Sequence, residues 1–227
     1  MRKALLCLLF VFGTVQLWAA KPKDVFIKIS TNKGDMILKL FNETPKHRDN
    51  FVKIIKAGTL EKTLFHRVIK GFMIQGGDPD SKNAKENQLL GMGDLGYTIP
   101  AEFNPGLIHK KGALAAARNN NPERASSASQ FYIVEGKVYN DMQLNYMEQD
   151  KGVKISEEHK AIYKTIGGTP FLDGEYTVFG ETLRGLDVLD AISSVKVDKN
   201  NRPVENISMK VSLLKKKEIR KLLKNKI

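Results

Sequence analysis

The brevity of its apolar runs most constrains what this chain can fold into. Val25–Thr31 and Met36–Phe41 are strand-like and flank Asn32-Lys33-Gly34-Asp35, a turn sequence that reads as a hairpin. Further short strand-like runs occupy 63–69, 72–75, 112–117, 129–134, 176–181 and 207–214, separated by Gly, Asn, Asp and Pro. Runs of this length build half-buried strands, not long helices. Thr44-Pro45 opens one helix, with Thr as N-cap and Pro in the first turn. It continues to residue 57 on an apolar face of Phe51, Ile54 and Ile55, and stops at Gly58. Gly185–Ser193 is a second short helix, and 76–96, with five glycines, reads as loop. Many strands and two helices predict a small antiparallel barrel or sandwich.

The stretch 138–168 breaks this pattern. It is polar and highly charged, and suits helix better than strand. Ser156 ahead of Glu157-Glu158 starts a helix, Ala161, Ile162 and Ile166 give it a weak apolar face, and Gly167-Gly168 ends it. The segment reads as a helical insertion on the surface of the β domain.

Both ends lie outside the domain. Arg2 and Lys3 precede an apolar run from Ala4 to Trp18, then Ala19-Ala20 and a polar start, the layout of a secretory signal peptide over residues 1–20. The run is short for a membrane span, which needs about 20 apolar residues. An uncleaved, membrane-anchoring N-terminus is the alternative. Cleavage would remove the only cysteine, Cys7, and lower the formal charge from +12 to +10. A cysteine-free, exported chain without a KDEL-like ending suits a bacterial periplasm, or secretion, better than the endoplasmic reticulum. Residues 215–227 carry seven Lys/Arg against one Glu. This basic tail reads as a solvated helix docked through Ile219, Leu222 and Leu223; contact with an anionic membrane surface is the less favoured reading. Export and the lack of an aromatic-and-basic platform argue against nucleic acid as a partner.

Common catalytic chemistries find little support. The four histidines, His47, His66, His109 and His159, show no metal-binding spacing, and a single Cys excludes thiolate-rich metal centres. Asp78-Pro79-Asp80 begins like a calcium loop, but Asn83 and Leu89 stand where Gly and Glu are required. Neither a nucleophile elbow nor a phosphate loop is present. The reading calls for no metal and no cofactor.

FHRVIKGFMIQGGD (65–78) resembles the signature of cyclophilin-type peptidyl-prolyl cis–trans isomerases. The resemblance continues, in the same order, at GALAAAR (112–118), SQFYI (129–133) and FLDGEYTVFGETLRGLDVLD (171–190), and spans about 24–214. It implies an eight-stranded antiparallel β-barrel capped by a helix at each end, with a solid interior and an external peptide groove. It also implies an enzyme that turns X-Pro bonds in unfolded client proteins, working as a monomer. In this resemblance Arg67 matches the catalytic arginine. Phe72, Met73, Tyr132 and Leu172 match the proline pocket, and Gln75 and Gln130 match groups that bind the substrate backbone. Ala117 matches a small residue beneath the substrate chain, and Arg118 follows it where many relatives carry Asn. Alternation lets one of Phe72 and Met73 face inward.

The chemistry accounts for these residue types. Amide resonance sets a barrier of about 18–20 kcal/mol to rotation. No bond breaks, so catalysis needs only tighter binding of the twisted amide than of either planar form. Twisting frees the lone pair on the proline nitrogen, and a fixed cationic donor then binds the transition state selectively. Phe171, Tyr176 and Tyr132 stand where many relatives have Trp, His and Phe. Phe171 lacks the indole N–H that contacts cyclosporin in sensitive relatives, which implies weak binding of that drug. A rival reading is a proline-peptide binding module or holding chaperone with negligible turnover, using 138–168 and the tail as its surface.

Overall fold

The computed structural model describes residues 23–86, 88–152 and 154–224. Residues 1–20, expected from the sequence to be a signal peptide, and the last three residues of the basic tail lie outside them. The strands are β1 (Val25–Thr31), β2 (Gly34–Leu40), β3 (Phe65–Ile69), β4 (Met73–Gly76), β5 (Thr98–Ile99), β6 (Ala113–Ala116), β7 (Ser126–Ser127), β8 (Phe131–Val134), β9 (Val178–Arg184) and β10 (Met209–Leu213). The helices are α1 (Pro45–Lys56), α2 (Asp141–Lys151), α3 (Glu157–Thr165), α4 (Leu186–Ser193) and α5 (Lys216–Lys224).

Eight strands form one antiparallel sheet in the order β10-β1-β2-β9-β6-β8-β4-β3, and β5 pairs with β7 separately. The sheet curls until its edges meet. Leu64, just before β3, bridges Ser208, just before β10, and the Phe65 N–H donates to the Ile207 carbonyl at 2.9 Å. This closure satisfies edge groups that would otherwise template aggregation.

Period-two alternation divides the sheet into two faces. Ile27, Ile29, Leu38, Ile74, Leu114, Phe131, Ile133 and Phe179 point inward into one core with Phe51 and Ile54 of α1 and Leu189 and Ile192 of α4. Phe51 meets Phe131 and Phe179 edge-on at centroid distances of 5.4 and 5.2 Å, a favoured aromatic geometry. Met73, Ala115, Ala117, Tyr132, Val134 and Val178 form a second apolar cluster on the outer face. The barrel interior is filled, and the groove lies outside it.

The expected helices α1 and α4 are present. Thr44, however, does not cap α1, because its side chain makes no cap hydrogen bond. Glu102 takes that role from a distant loop, its two oxygens accepting from the N–H groups of Lys46 (3.0 Å) and His47 (2.9 Å). The strands β5 and β7 fall where the sequence carries no strand pattern, each being two residues long.

The insertion is helical as expected. Asn140 and Gln143 form a reciprocal capping box on α2, and Ser156 caps α3 through the His159 N–H at 3.2 Å. The anchor of α3 differs from the expected Ala161, Ile162 and Ile166 face: Tyr163 is its buried residue, while Ile166 is exposed. A Cβ on Gly168 would sit 2.2 Å from the His109 carbonyl, so only glycine lets the insertion return this close to the barrel. In the tail, α5 docks through buried Leu222, whose carbonyl accepts from Arg184 at 3.3 Å. Ile219 is partly buried and Leu223 exposed.

Candidate functional site

One register row across the outer face builds the site. Arg67 on β3 pairs with Gln75 on β4, Gln75 with Tyr132 on β8, and Tyr132 with Ala115 on β6. Residues directly opposite one another share a face. Phe65 and Arg67, two apart on one strand, would share a face as well, yet Phe65 is in the core and Arg67 faces the groove. A register shift between them, with His66 as the extra residue, accounts for the difference.

A cavity of about 130 Å³ opens on this row, lined by Arg67, Phe72, Met73, Gln75, Ala117, Arg118, Tyr132, Leu172 and Tyr176. Nine of the eleven sequence-selected residues therefore share one hollow. Phe72 and Met73 both reach it because Phe72 precedes β4 and escapes the strand's alternation. Gln130 does not line the hollow. Its side chain turns to the glycine loop, its amide donating to the carbonyls of Gly91 (3.0 Å) and Gly93 (2.7 Å). Phe171 lies outside the lining as well, 37% exposed, with its ring 5.7 Å from that of Phe72.

Arg67 is held by its neighbours. Its Nη1 donates to Gln75 Oε1 at 3.3 Å, and Gln75 Nε2 donates to Gln130 Oε1 at 3.1 Å. The guanidinium carbon lies 5.9 Å from the Phe72 ring centroid. Burial draws the Arg67 pKa below its ordinary value, but a guanidinium stays charged at neutral pH. The result is a partly desolvated cation beside apolar walls, where electrostatic donation is strengthened.

Arg118 borders the hollow, but its guanidinium is engaged elsewhere. Nε donates to the Glu175 carbonyl at 3.0 Å, and the group lies 4.6 Å over the Tyr176 ring. It braces the 172–176 segment. Tyr132 is buried, and burial pushes its phenol pKa well up. Sequence reasoning missed His109, Asp173 and Tyr163, which lie behind this wall. His109 and Asp173 stand in or next to the recognised blocks, but pairing with Tyr163 depends on three-dimensional proximity. The insertion sits behind the 172–176 segment. A second hollow of about 400 Å³ separates Ile155 and His159 from Phe103, Leu107 and Tyr176. Among the described residues no group of three or more His, Cys, Asp or Glu is placed to hold a metal ion, and no helix is long and apolar enough to cross a membrane.

The fold and this hollow define a class: a closed antiparallel barrel with a hollow of about 130 Å³ on its outer face. Residues 26–212 match the family described as cyclophilin type peptidyl-prolyl cis-trans isomerase/CLD, and the chain belongs to that family of enzymes. A relative from Staphylococcus haemolyticus, described as "Putative peptidyl-prolyl cis-trans isomerase", is 36% identical over 188 residues, covering 82% of this chain and 89% of its own. One from Staphylococcus aureus (strain USA300) with the same description is 36% identical over 185 residues, covering 81% and 88%. The crystal structure of a Cryptosporidium parvum cyclophilin-type isomerase is similar with a TM-score of 0.62 at 26% identity, covering 85% of this chain and 99% of that one. The same parasite protein in the presence of the dipeptide Ala-Pro gives a TM-score of 0.61, with 84% and 99% coverage.

Proposed function

We propose that this enzyme speeds X-Pro rotation in exported proteins as they fold, with Arg67 donating to the proline nitrogen of the twisted amide. The proline ring enters the hollow between Phe72, Met73, Tyr132 and Leu172. Gln75 hydrogen-bonds the substrate backbone, and Gln130 acts through Gln75 by fixing its amide. Ala117 leaves room for the residue before proline, while Tyr176 closes the far edge. The observation that carries this reading is a partly buried guanidinium fixed by Gln75 at a hollow of about 130 Å³ that Phe72, Met73, Tyr132 and Leu172 also line. That the parasite relative's structure was also determined in the presence of the dipeptide Ala-Pro supports the same substrate class.

The cation binds the transition state better than the ground state, because only the rotated amide presents a basic nitrogen. Neither a covalent intermediate nor a metal enters this scheme. A protease-coupled assay on X-Pro peptides tests it. Arg67→Ala should lower turnover roughly 10²- to 10³-fold, the loss seen when one preorganised donor is deleted, while peptide binding persists. Wild-type inactivity on several X residues would instead favour a binding module. The export reading rests on residues 1–20, and mass spectrometry of the mature N-terminus tests it: an intact Met1 end would replace a periplasmic or secreted protein with an anchored one. The protein is read as a monomer, with unfolded clients as its partners.

A further inference from the structure

A partly buried run of hydrogen bonds joins the inserted helices to the wall of the hollow. The Tyr163 hydroxyl on α3 donates to Asp173 Oδ2 at 2.5 Å. Asp173 Oδ1 accepts from the His109 backbone N–H and pairs with His109 Nδ1, both at 2.8 Å. The opposite ring nitrogen, Nε2, lies 2.9 Å from the Tyr132 hydroxyl. Tyr163 and His109 are 0% exposed and Tyr132 4%, while the Asp173 side chain that links them is 27% exposed and borders the larger hollow.

The donor inventory fixes the direction of this run. A carboxylate only accepts, so Nδ1 carries the ring proton. Nε2 of a neutral ring then accepts, and the single Tyr132 hydroxyl proton points away from the hollow. A tyrosine can thereby serve in an apolar wall.

Asp173 also lies between Leu172 and Tyr176, two other walls of the hollow. On the far side Arg118 and Arg124 hold Glu175 of the same segment, at 3.4 and 3.1 Å. On the insertion side the hold passes through Asp173 to Tyr163.

We propose that Tyr163 is a positioning residue for the isomerase: through Asp173 and His109 the inserted helix pair sets the places of Leu172, Tyr176 and Tyr132 around the proline ring. The inference rests on reading the hollow as the proline site. Removing the Tyr163 hydroxyl takes one donor from a carboxylate that anchors the wall segment, and it leaves Arg67 and Gln75 untouched. The wall grips the proline ring in the planar and twisted states alike. Its loosening therefore weakens uniform binding and raises KM with little change in kcat.

The test compares Tyr163→Phe, Tyr132→Phe and the double variant for kcat and KM on a short X-Pro peptide. Peptide binding to each is followed by NMR titration, and the His109 ring N–H by spectra of histidine-labelled protein. Tyr163→Phe should raise KM on the order of 3- to 10-fold, the effect of one net hydrogen bond, with kcat within about twofold. The double variant should exceed the larger single effect only slightly, and the His109 ring signal should shift in Tyr163→Phe. Asp173→Asn, which keeps the volume, serves as a second route and should also raise KM. An unchanged KM in both Tyr163→Phe and Asp173→Asn, or single effects that multiply in the double variant, overturns the proposal alone. Failure of the wild type to bind the peptide overturns the proline-site reading, and this inference with it.

Discussion

Arg67 and Gln75 face each other in register across β3 and β4, and the Arg67 Nη1 donates to Gln75 Oε1 at 3.3 Å. One neutral acceptor therefore orients the cation without neutralising it. A carboxylate in the same place would pair with the guanidinium and blunt its field toward a substrate. Gln75 is itself oriented, because its Nε2 donates to Gln130, whose own amide donates to two backbone carbonyls. Every link in this chain runs in one donor-to-acceptor direction and ends on main chain.

Charge alone at position 67 should not sustain the reaction. Arg67→Lys keeps a cation but replaces a planar fork with a mobile ammonium, which neither reaches Gln75 in the same geometry nor lies along the Phe72 ring. Its kcat/KM should fall at least about 10-fold, closer to Arg67→Ala than to wild type, where deletion of one donor costs roughly 10²- to 10³-fold. Isomerase progress curves at several peptide concentrations measure this, and near wild-type turnover in the lysine variant would show that the fork is dispensable.

Gln130 should matter at one remove. Gln130→Leu keeps the volume but leaves the Gly91 and Gly93 carbonyls, and Gln75 Nε2, without their partner. Turnover should fall by roughly 3- to 10-fold, since a net hydrogen bond is worth about 0.5–1.5 kcal/mol. Combined with Gln75→Leu, the loss should be less than the product of the single losses, because both substitutions cut one chain. A fully multiplicative double variant would mean that the two glutamines act independently.

Much of this arrangement was legible in the sequence because short strands write their faces in period two. The alternation of Phe131 and Ile133 with Tyr132 and Val134 separates core from groove directly. Nine hollow-lining residues follow from the motif blocks. What stayed hidden depends on irregularity or on distance along the chain. The shift at His66 that sends Phe65 inward and Arg67 outward leaves no trace in residue type. Glu102 caps α1 from 55 residues away, so the nearby Thr44 looked like the better cap. Tyr163 reads as one more residue of a weakly amphipathic helix until the fold sets it beside Asp173.

The Glu102 cap yields a stability prediction. Its oxygens accept from two α1 N–H groups, and Oε2 also lies 2.7 Å from His47 Nδ1. Burial pushes the Glu102 carboxyl up, but the hydrogen bonds from His47 and Lys46 outweigh it and hold the pKa below its ordinary value. Glu102→Ala should destabilise the fold by about 1–2 kcal/mol in urea unfolding near pH 7, the usual cost of a lost cap. Glu102→Gln, which keeps one acceptor, should cost less. The wild-type advantage should fade below about pH 4.5, as the carboxylate is protonated in the native state. Equal stabilities for wild type and the alanine variant would show that α1 needs no acceptor there.

His66 should make the native state acid-sensitive over a defined range. Burial pushes its pKa down from 6.5 to about 4. Below pH 6.5 the unfolded chain binds a proton at this ring that the native chain refuses until about pH 4. The unfolded state then holds more protons, so stability rises with pH across that interval and is lost as the pH falls. At 1.36 kcal/mol for each pH unit the loss amounts to about 3 kcal/mol by pH 4. His47, also held low by burial, acts in the same direction. His66→Gln removes the titrating ring from the bulge, so its stability should decline less between pH 6.5 and pH 4. Urea unfolding of both proteins at intervals across that range measures the slopes, and parallel curves would mean that His66 titrates alike in the native and unfolded chains.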